Sequence, residues 1–157
     1  MHNHKKFMQA AIDLAQKGME GNSGGPFGAV VVKDNKIIAE GCNQVTSSND
    51  PTAHAEVVAI RKACEVLNSF QLEGCIIYTS CEPCPMCLGA IYWARPEKVF
   101  FGATKEDAAA IDFDDHFIYD EIELDLNKRQ IGFENLMREE ANAVFSSWRN
   151  KDDKIEY

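Results

Sequence analysis

Apolar residues recur along the first part of the chain with spacings that alternate between helical and strand periods. Residues 4–19 carry apolar side chains three or four positions apart, which predicts an amphipathic helix that stops before Gly24-Gly25-Pro26. Phe27–Lys33 is almost continuously apolar, and Lys36–Gly41 follows the turn residues Asp34-Asn35. This pattern predicts two strands joined by a tight turn.

The alternation continues to residue 103. A polar loop over Gln44–Thr52 precedes helical spacing from Ala53 to about Leu67. A predicted strand, helix and strand follow at Cys75–Ser80, Cys84–Ala94 and Lys98–Ala103. Helices that alternate with short buried strands indicate a layered α/β sheet.

Beyond Lys105 the pattern is less regular. Helical spacing returns over Ala108–Ile111 and Glu139–Asn150. Aromatic residues are distributed through this stretch: Phe113, Phe117, Tyr119, Phe133, Phe145, Trp148 and Tyr157. Aromatic side chains in such number need a surface to cover. The residues alone leave open whether that surface belongs to the same chain or to a partner.

The composition is that of one globular domain. A chain of 157 residues with 45% hydrophobic residues can bury a substantial core. No apolar stretch has membrane-spanning length, and no apolar segment follows the N-terminal residues 1–6, so we expect neither a membrane anchor nor a signal peptide. The six cysteines are then expected to be reduced thiols in the cytoplasm.

Charge is concentrated in the last third of the chain. Residues 1–106 contain ten basic and eleven acidic residues, which gives a net charge of −1. Residues 107–157 contain six basic and fourteen acidic residues, which gives a net charge of −8. Proteins that bind a nucleic-acid backbone need a basic surface. The acidic tail therefore argues against a nucleic-acid substrate, although a solvated acidic face would give the same composition.

Two motifs contain the residue types of a metal site: His54-Ala55-Glu56 and Pro83-Cys84-Pro85-Met86-Cys87. One imidazole and two thiolates supply the three protein ligands of a catalytic zinc site and leave the fourth position for water. Cys84 and Cys87 are three residues apart, so they share one face at a helix start, where free N–H groups favour thiolates. Glu56 is not needed as a ligand and is placed to move protons.

Other uses of these cysteines compete with a catalytic zinc site. Cys81, Cys84 and Cys87 form two overlapping C-x-x-C pairs, which could be a redox motif or a structural zinc site with Cys81 as fourth ligand. Either alternative leaves the nearby H-x-E motif as a coincidence. We therefore interpret Cys81 as a residue of the site wall. The cysteines elsewhere are interpreted as small buried side chains: Cys42, Cys64 and Cys75.

The chain resembles the cytidine-deaminase-like superfamily, whose signature pairs H-x-E with P-C-x-x-C. The resemblance rests on residues 24–29, residues 51–56 and residues 79–87. Within the superfamily the chain is most similar to short bacterial guanine deaminases, on further motifs: Ala90-Ile91-Tyr92-Trp93-Ala94-Arg95, Phe113-Asp114-Asp115 and Ile155-Glu156-Tyr157. The similarity extends over nearly the whole chain and weakens from about residue 120 to 150.

The resemblance implies a three-layer α/β/α fold with a mixed five-stranded sheet, in a single zinc deaminase domain over residues 1–157. It implies one zinc ion per chain, held by His54, Cys84 and Cys87. It also implies a homodimer in which the helical tail, residues 105–157, is exchanged and crosses to the partner's active site.

The implied activity is hydrolytic deamination of guanine to xanthine and ammonia in purine salvage, with Glu56 as the catalytic proton carrier. The motif is shared by enzymes that act on cytosine, cytidine or the adenosine of a tRNA anticodon. Cytosine or tRNA-adenosine deamination therefore remains an alternative. A non-catalytic zinc-binding module, with four protein ligands and no zinc-bound water, is another.

The resemblance also implies a set of substrate contacts: Asn43, Ala55, Asp115, Phe27, Trp93 and Tyr157. A carboxylate such as Asp115 can accept from N1–H and the 2-amino group of guanine, whereas adenine presents an acceptor at N1. The sequence does not decide between Asp115 and its neighbour Asp114. Without the resemblance, Asn43 would be interpreted as a turn residue and the aromatics as packing residues.

Overall fold

The computed structural model describes residues 3–157, so the first two residues of the N-terminal segment considered above lie outside the described range. Its four strands are β1 Gly28–Lys33, β2 Lys36–Cys42, β3 Cys75–Cys81 and β4 Lys98–Ala103. Its α-helices are α1 His4–Glu20, α2 Val45–Ser48, α3 Ala55–Leu67, α4 Pro85–Ala94, α5 Lys105–Ala109, α6 His116–Glu123 and α7 Arg138–Arg149. A 3-10 turn covers Leu126–Lys128.

The four strands form one mixed sheet in the order β2-β1-β3-β4. β1 runs antiparallel to both β2 and β3, whereas β3 and β4 are parallel. The strands β2, β3 and β4 therefore point the same way, and their carboxyl ends meet at one edge of the sheet. Clefts for ligands in sheets of this kind open at that edge.

Alternating side chains divide the sheet between two apolar layers, as the two-residue period of a strand requires. One face of the sheet packs against α1 through Phe7, Ala11, Val30, Val32, Ile76 and Tyr78. The opposite face packs against α3 and α4 through Ala29, Val31, Ile77, Ala59, Ala63, Ile91 and Ala94. The three-layer α/β/α arrangement expected from the sequence is confirmed.

The turn chemistry follows from the residues at the element boundaries. Asp34 and Asn35 both adopt positive φ, 49° and 60°, as a two-residue hairpin between β1 and β2 requires. The C-cap residue of α3 is Asn68 and that of α4 is Arg95, and both adopt the left-handed conformation. Pro96 directly after Arg95 prevents α4 from continuing.

Close packing at one glycine fixes the distance between β2 and α3. A Cβ atom on Gly41 would lie 2.3 Å from the carbonyl oxygen of Ala55 and 2.8 Å from the amide nitrogen of Ala59. Real Cβ atoms do not approach backbone atoms so closely. The first turn of α3 can therefore lie against the end of β2 only because residue 41 has no side chain.

The expectation of a five-stranded sheet is corrected, because the sheet of the described chain has four strands. After β4 the chain forms helices and a 3-10 turn, and no part of residues 104–157 adds a strand. Three further elements differ from the sequence prediction. Helix α5 covers Lys105–Ala109, whereas helical structure was expected over Ala108–Ile111. The loop over residues 44–52 contains the one-turn helix α2, and α6 was not predicted.

The described residues form two compact units, the first ending at Asp115 and the second covering residues 116–157. The second unit consists of α6, the 3-10 turn and α7. Neither of its α-helices buries a residue in the single chain. Most of its large apolar side chains are exposed, among them Phe117, Ile122, Leu136, Val144 and Phe145. Across the described residues, no helix combines the length and apolarity needed to cross a membrane.

Candidate active site

The carboxyl ends of β2 and β3 bring the two sequence motifs together. The loop after β2 leads into α3, and the loop after β3 leads into α4. His54 is the N-cap residue of α3 and Cys84 is the N-cap residue of α4. In neither helix does the cap side chain bond to its own backbone. Both side chains are therefore available to a ligand between the two helix starts.

The side chains of His54, Cys84 and Cys87 form one cluster, with ligand atoms within 4.8 Å of one another. The imidazole Nδ1 lies 3.5 Å from the sulfur of Cys84 and 3.5 Å from the sulfur of Cys87. Zinc bonds of about 2.3 Å to sulfur and about 2.0 Å to nitrogen, at a tetrahedral angle, separate sulfur from nitrogen by about 3.5 Å. The donor types and their spacing therefore fit a zinc ion.

The two cysteine sulfurs hold protons unequally. The pKa of Cys84 is lowered to about 4, first because the Cys87 thiol hydrogen-bonds its thiolate and then because His54 does. The pKa of Cys87 is raised, because its proton is held in that hydrogen bond and because the thiol is desolvated. A metal ion binding here would displace the proton that the sulfurs share, since thiolates are the ligand form.

Cys81 lies outside the ligand cluster of the described residues. Its sulfur is 3.6 Å from the carbonyl oxygen of Thr104, to which the thiol donates. Burial raises the pKa of this thiol to about 11. A buried neutral thiol that is hydrogen-bonded to the backbone agrees with the interpretation of Cys81 as a residue of the site wall and not a ligand. Of the other cysteines, Cys75 is buried, whereas Cys42 and Cys64 are half-buried.

Glu56 is a buried carboxylate beside the cluster. Its residue is only 6% exposed. The hydroxyl of Thr79 donates to Oε1 over 3.1 Å, and the sulfur of Cys87 lies 3.5 Å from Oε2. Desolvation raises the pKa of this carboxyl group. A carboxyl group in such a position can take up and release a proton next to the ligand atoms.

Asn43 lies at the end of β2 and is buried. Its Oδ1 accepts hydrogen bonds from the backbone N–H of Gly25, at 3.3 Å, and of Val45, at 3.1 Å. These two donors orient the amide, so the Nδ2 group is turned away from them and can donate to a ligand. A Cβ on Gly24 would lie 2.1 Å from the same oxygen, so this clamp requires glycine at residue 24.

Asp115 is half-buried in the first unit, whereas Asp114 is exposed. The pKa of Asp115 is raised, first by desolvation and then by the charge of the Cys84 thiolate. Of the two neighbours, Asp115 is therefore the less exposed one, and the charge of Cys84 contributes to the rise of its pKa. The substrate contact expected for Asp115 stays a prediction.

Two of the predicted aromatic contacts can be located within the first unit. Phe27 packs edge-on against Phe113 with 4.9 Å between ring centroids. Trp93 is on α4 and 65% exposed. Tyr157 belongs to the second unit and is 70% exposed. Ala55 is buried as the first residue of α3, where a backbone N–H has no acceptor within the helix. The roles of these residues stay predictions.

Sequence reasoning missed Thr79 and the clamp formed by Gly25 and Val45. Threonine is an ordinary strand residue, so Thr79 carries no signal in a predicted β-strand. Its contact with Glu56 crosses from β3 to α3, between positions 23 residues apart. Only the packed structure brings the two together. The glycine pair Gly24-Gly25 is visible in the sequence as a turn and as part of the motif at residues 24–29, but neither reading indicates the hydrogen bond from Gly25 to Asn43.

The chain is similar to a known family of proteins. A family model described as the cytidine and deoxycytidylate deaminase zinc-binding region matches residues 1–103. Guanine deaminase of Bacillus subtilis (strain 168) is 59% identical over 155 residues, which cover 99% of this chain and 99% of that protein. A tRNA-specific adenosine deaminase of Aquifex aeolicus (strain VF5) is 44% identical over 97 residues, 62% of this chain and 64% of that protein.

A solved structure agrees over the full length. The X-ray structure of guanine deaminase from Bacillus subtilis matches with a TM-score of 0.96 and 59% identity, covering 99% of each chain. The family model spans the stretch that contains the predicted zinc ligands and Glu56. The chain therefore belongs to the cytidine and deoxycytidylate deaminase family of zinc-binding proteins.

Proposed function

We propose that this protein hydrolyses guanine to xanthine and ammonia. The observation that carries the proposal is the buried carboxylate of Glu56, whose Oε2 lies 3.5 Å from the sulfur of Cys87 in a three-ligand cluster. The full-length similarity to a guanine deaminase supports guanine as the substrate. Purine salvage in the cytoplasm is the corresponding physiological role.

One zinc ion per chain would be held by His54 Nδ1 and the sulfurs of Cys84 and Cys87. Bound there, zinc supplies Lewis acidity that lowers the pKa of a water molecule towards neutrality. Three protein ligands, with Cys81 bonded elsewhere, suit a catalytic site better than a structural site with four ligands. This count argues against the alternative of a non-catalytic zinc-binding module.

Glu56 moves the protons of the reaction. It accepts a proton from the attacking water as a new C–O bond forms at C2 of guanine. It passes this proton to the neighbouring ring nitrogen N3. It then transfers the hydroxyl proton to the 2-amino group, and the C–N bond breaks to release ammonia. Burial suits this role, because desolvation raises the pKa of the carboxyl group and makes it a better base.

Asp115 and Asn43 would form hydrogen bonds with different edges of the base. The carboxylate of Asp115 is suited to accept from N1–H and the 2-amino group of guanine, which would orient C2 towards the cluster of His54, Cys84 and Cys87. The Nδ2 group of Asn43, oriented by the bonds to its Oδ1, is suited to donate to an acceptor such as O6 or N7. The N–H of Ala55 offers a further donor, and the rings of Phe27, Trp93 and Tyr157 would cover the base.

An exchanged homodimer is part of the proposal. The second unit, residues 116–157, exposes most of its large apolar side chains in the single chain and has no buried residue in α6 or α7. A partner chain would cover these side chains and would receive Tyr157 at its active site. The net charge of −8 over residues 107–157 suits a small neutral base better than a polyanion.

A panel of substrates tests the function. Zinc-loaded protein is incubated with guanine, adenine, cytosine, their nucleosides and a tRNA anticodon stem-loop, and released ammonia is measured. We expect turnover of guanine at a kcat/KM at least about 100-fold above that of any other compound in the panel. Preferred deamination of the stem-loop would instead support the activity named for the Aquifex aeolicus relative.

A further inference from the structure

Thr79 is the one hydroxyl-bearing residue in an otherwise apolar row of β3. Cys75 and Ile77 point from this strand into the layer of α3 and α4, and Thr79 follows two residues later on the same face. It is 1% exposed. Its backbone is held on both sides, by Ala29 in β1 and Phe101 in β4. A valine would fill this place without burying a hydroxyl.

The hydroxyl of Thr79 donates to Oε1 of Glu56 over 3.1 Å. A buried hydroxyl is unfavourable without such an acceptor, and a hydrogen bond to a carboxylate is stronger than one to a neutral group. The other carboxylate oxygen, Oε2, faces the sulfur of Cys87 at 3.5 Å. The two oxygens of Glu56 therefore have different surroundings, one in the sheet and one at the ligand cluster.

Thr79 is the hydroxyl donor to Glu56 among the side-chain hydrogen bonds described above. A β-branched side chain on a central strand has few rotamers, so the hydroxyl of Thr79 stays in one position and restricts the orientation of the Glu56 carboxylate.

We propose that Thr79 is a positioning residue, which holds Oε1 of Glu56 so that Oε2 carries the proton between water and guanine. The inference rests on the proposed deaminase function and deepens it. Proton transfer needs the carrier within hydrogen-bond reach of both partners, and a carboxylate free to rotate would spend part of its time outside that reach. Thr79 itself touches neither substrate nor metal.

The test replaces Thr79 by valine, which keeps the shape and removes the hydroxyl. In zinc-loaded full-length protein, we expect Thr79→Val to lower kcat for guanine about 10- to 100-fold. KM should change less than about twofold, because the lost contact acts on proton transfer and not on binding. Zinc content should stay that of the unsubstituted protein. Thr79→Ser restores the hydroxyl and should recover kcat to within about threefold.

Ile77→Val is the matched control, because it alters the same face of β3 by one methylene and removes no hydroxyl. If Thr79→Val turns over as fast as Ile77→Val, or if Thr79→Ser is as slow as Thr79→Val, the positioning role is wrong. If Thr79→Val does not fold, Thr79→Ala, which introduces no larger group, is judged by the same criteria.

A double substitution separates an effect through Glu56 from a general effect on the fold. In a Glu56→Gln background, the residual turnover should not fall further when Thr79→Val is added. An equal loss in both backgrounds would overturn the inference. Failure of the proposed function gives a different result, since the unsubstituted protein would then release no ammonia from guanine.

Discussion

His54 and Cys84 cap two different helices, and the Nδ1 atom of one lies 3.5 Å from the sulfur of the other. Two helix N-termini thus face one point, and each carries a partial positive charge. Cap residues usually satisfy N–H groups of the first helical turn themselves, but here both cap side chains are directed to the cluster. The arrangement stabilises a thiolate at Cys84, where the candidate metal ligands meet.

Metal content is the first prediction from this geometry. The purified protein should contain about one zinc per chain, and His54→Ala, Cys84→Ala or Cys87→Ala should each lose it, because two ligands hold zinc poorly. Atomic emission gives the count. Cys81→Ala is the control and should keep the metal, since its thiol bonds Thr104. Zinc loss in Cys81→Ala would point to a structural site with four ligands.

Glu56→Gln should keep zinc and fold but lose turnover. The amide is nearly isosteric and cannot carry a proton, and such proton transfer contributes about 10²–10⁴-fold. Ammonia release measures the loss of turnover. Metal analysis checks that zinc is retained, and a thermal melt checks that the variant is folded. Turnover of Glu56→Gln within a few-fold of the unsubstituted protein would contradict the role given to this carboxylate.

Asp115→Asn should reduce kcat/KM for guanine about tenfold or more while zinc content stays constant. The amide presents N–H groups to the donors of guanine and removes a charged acceptor. Asp114→Asn is the matched control, because Asp114 is exposed where Asp115 is half-buried. If Asp114→Asn is instead the slow variant, the substrate contact belongs to Asp114 and the choice of Asp115 is wrong.

Gly24→Ala should disturb the amide of Asn43. The added Cβ would lie 2.1 Å from Oδ1, so the amide must move out of the clamp formed by Gly25 and Val45. We expect KM for guanine to rise about tenfold, with zinc retained. Gly132→Ala serves as control, since nothing lies within 4 Å of the added atom. An unchanged KM would show that the clamp does not orient a substrate contact.

Removal of the last six residues, 152–157, should leave a folded, zinc-loaded dimer with poor activity, because Tyr157 would no longer cover the base. Mixing this truncated chain with a Glu56→Gln chain tests the exchange. In a heterodimer, one chain supplies the intact metal site and the other the intact tail, so activity should return. If no activity returns, the tail acts on its own chain. Full activity of the truncated homodimer would exclude a lid.

The sequence predicted the elements up to residue 103 because their apolar periods are set by burial on a two-sided sheet. The strand β4 was predicted with the bounds that the structure gives, and α3 and α4 begin within two residues of their predicted starts. Helix α6 was missed because eight residues make only about two turns. The fifth strand was implied by resemblance and had no alternating pattern of its own.

The candidate site was predictable where spacing along the chain decides the chemistry. His54 and Glu56 are two residues apart and Cys84 and Cys87 three, so each pair could be placed at a helix start. Contacts between distant segments were not predictable. The hydrogen bond from Thr79 to Glu56 depends on how α3 lies on the sheet, which no local pattern specifies.

The close packing of α3 against Gly41 limits which residues position 41 can tolerate. Any larger residue there would push the first turn of α3 off the end of β2, and His54 and Glu56 would move with it. Cys84 would stay behind, because it belongs to the segment that follows β3. A saturation library selected for activity should therefore reject every replacement at position 41 as strictly as it rejects changes to the metal ligands, although the residue has no side chain to offer to the reaction.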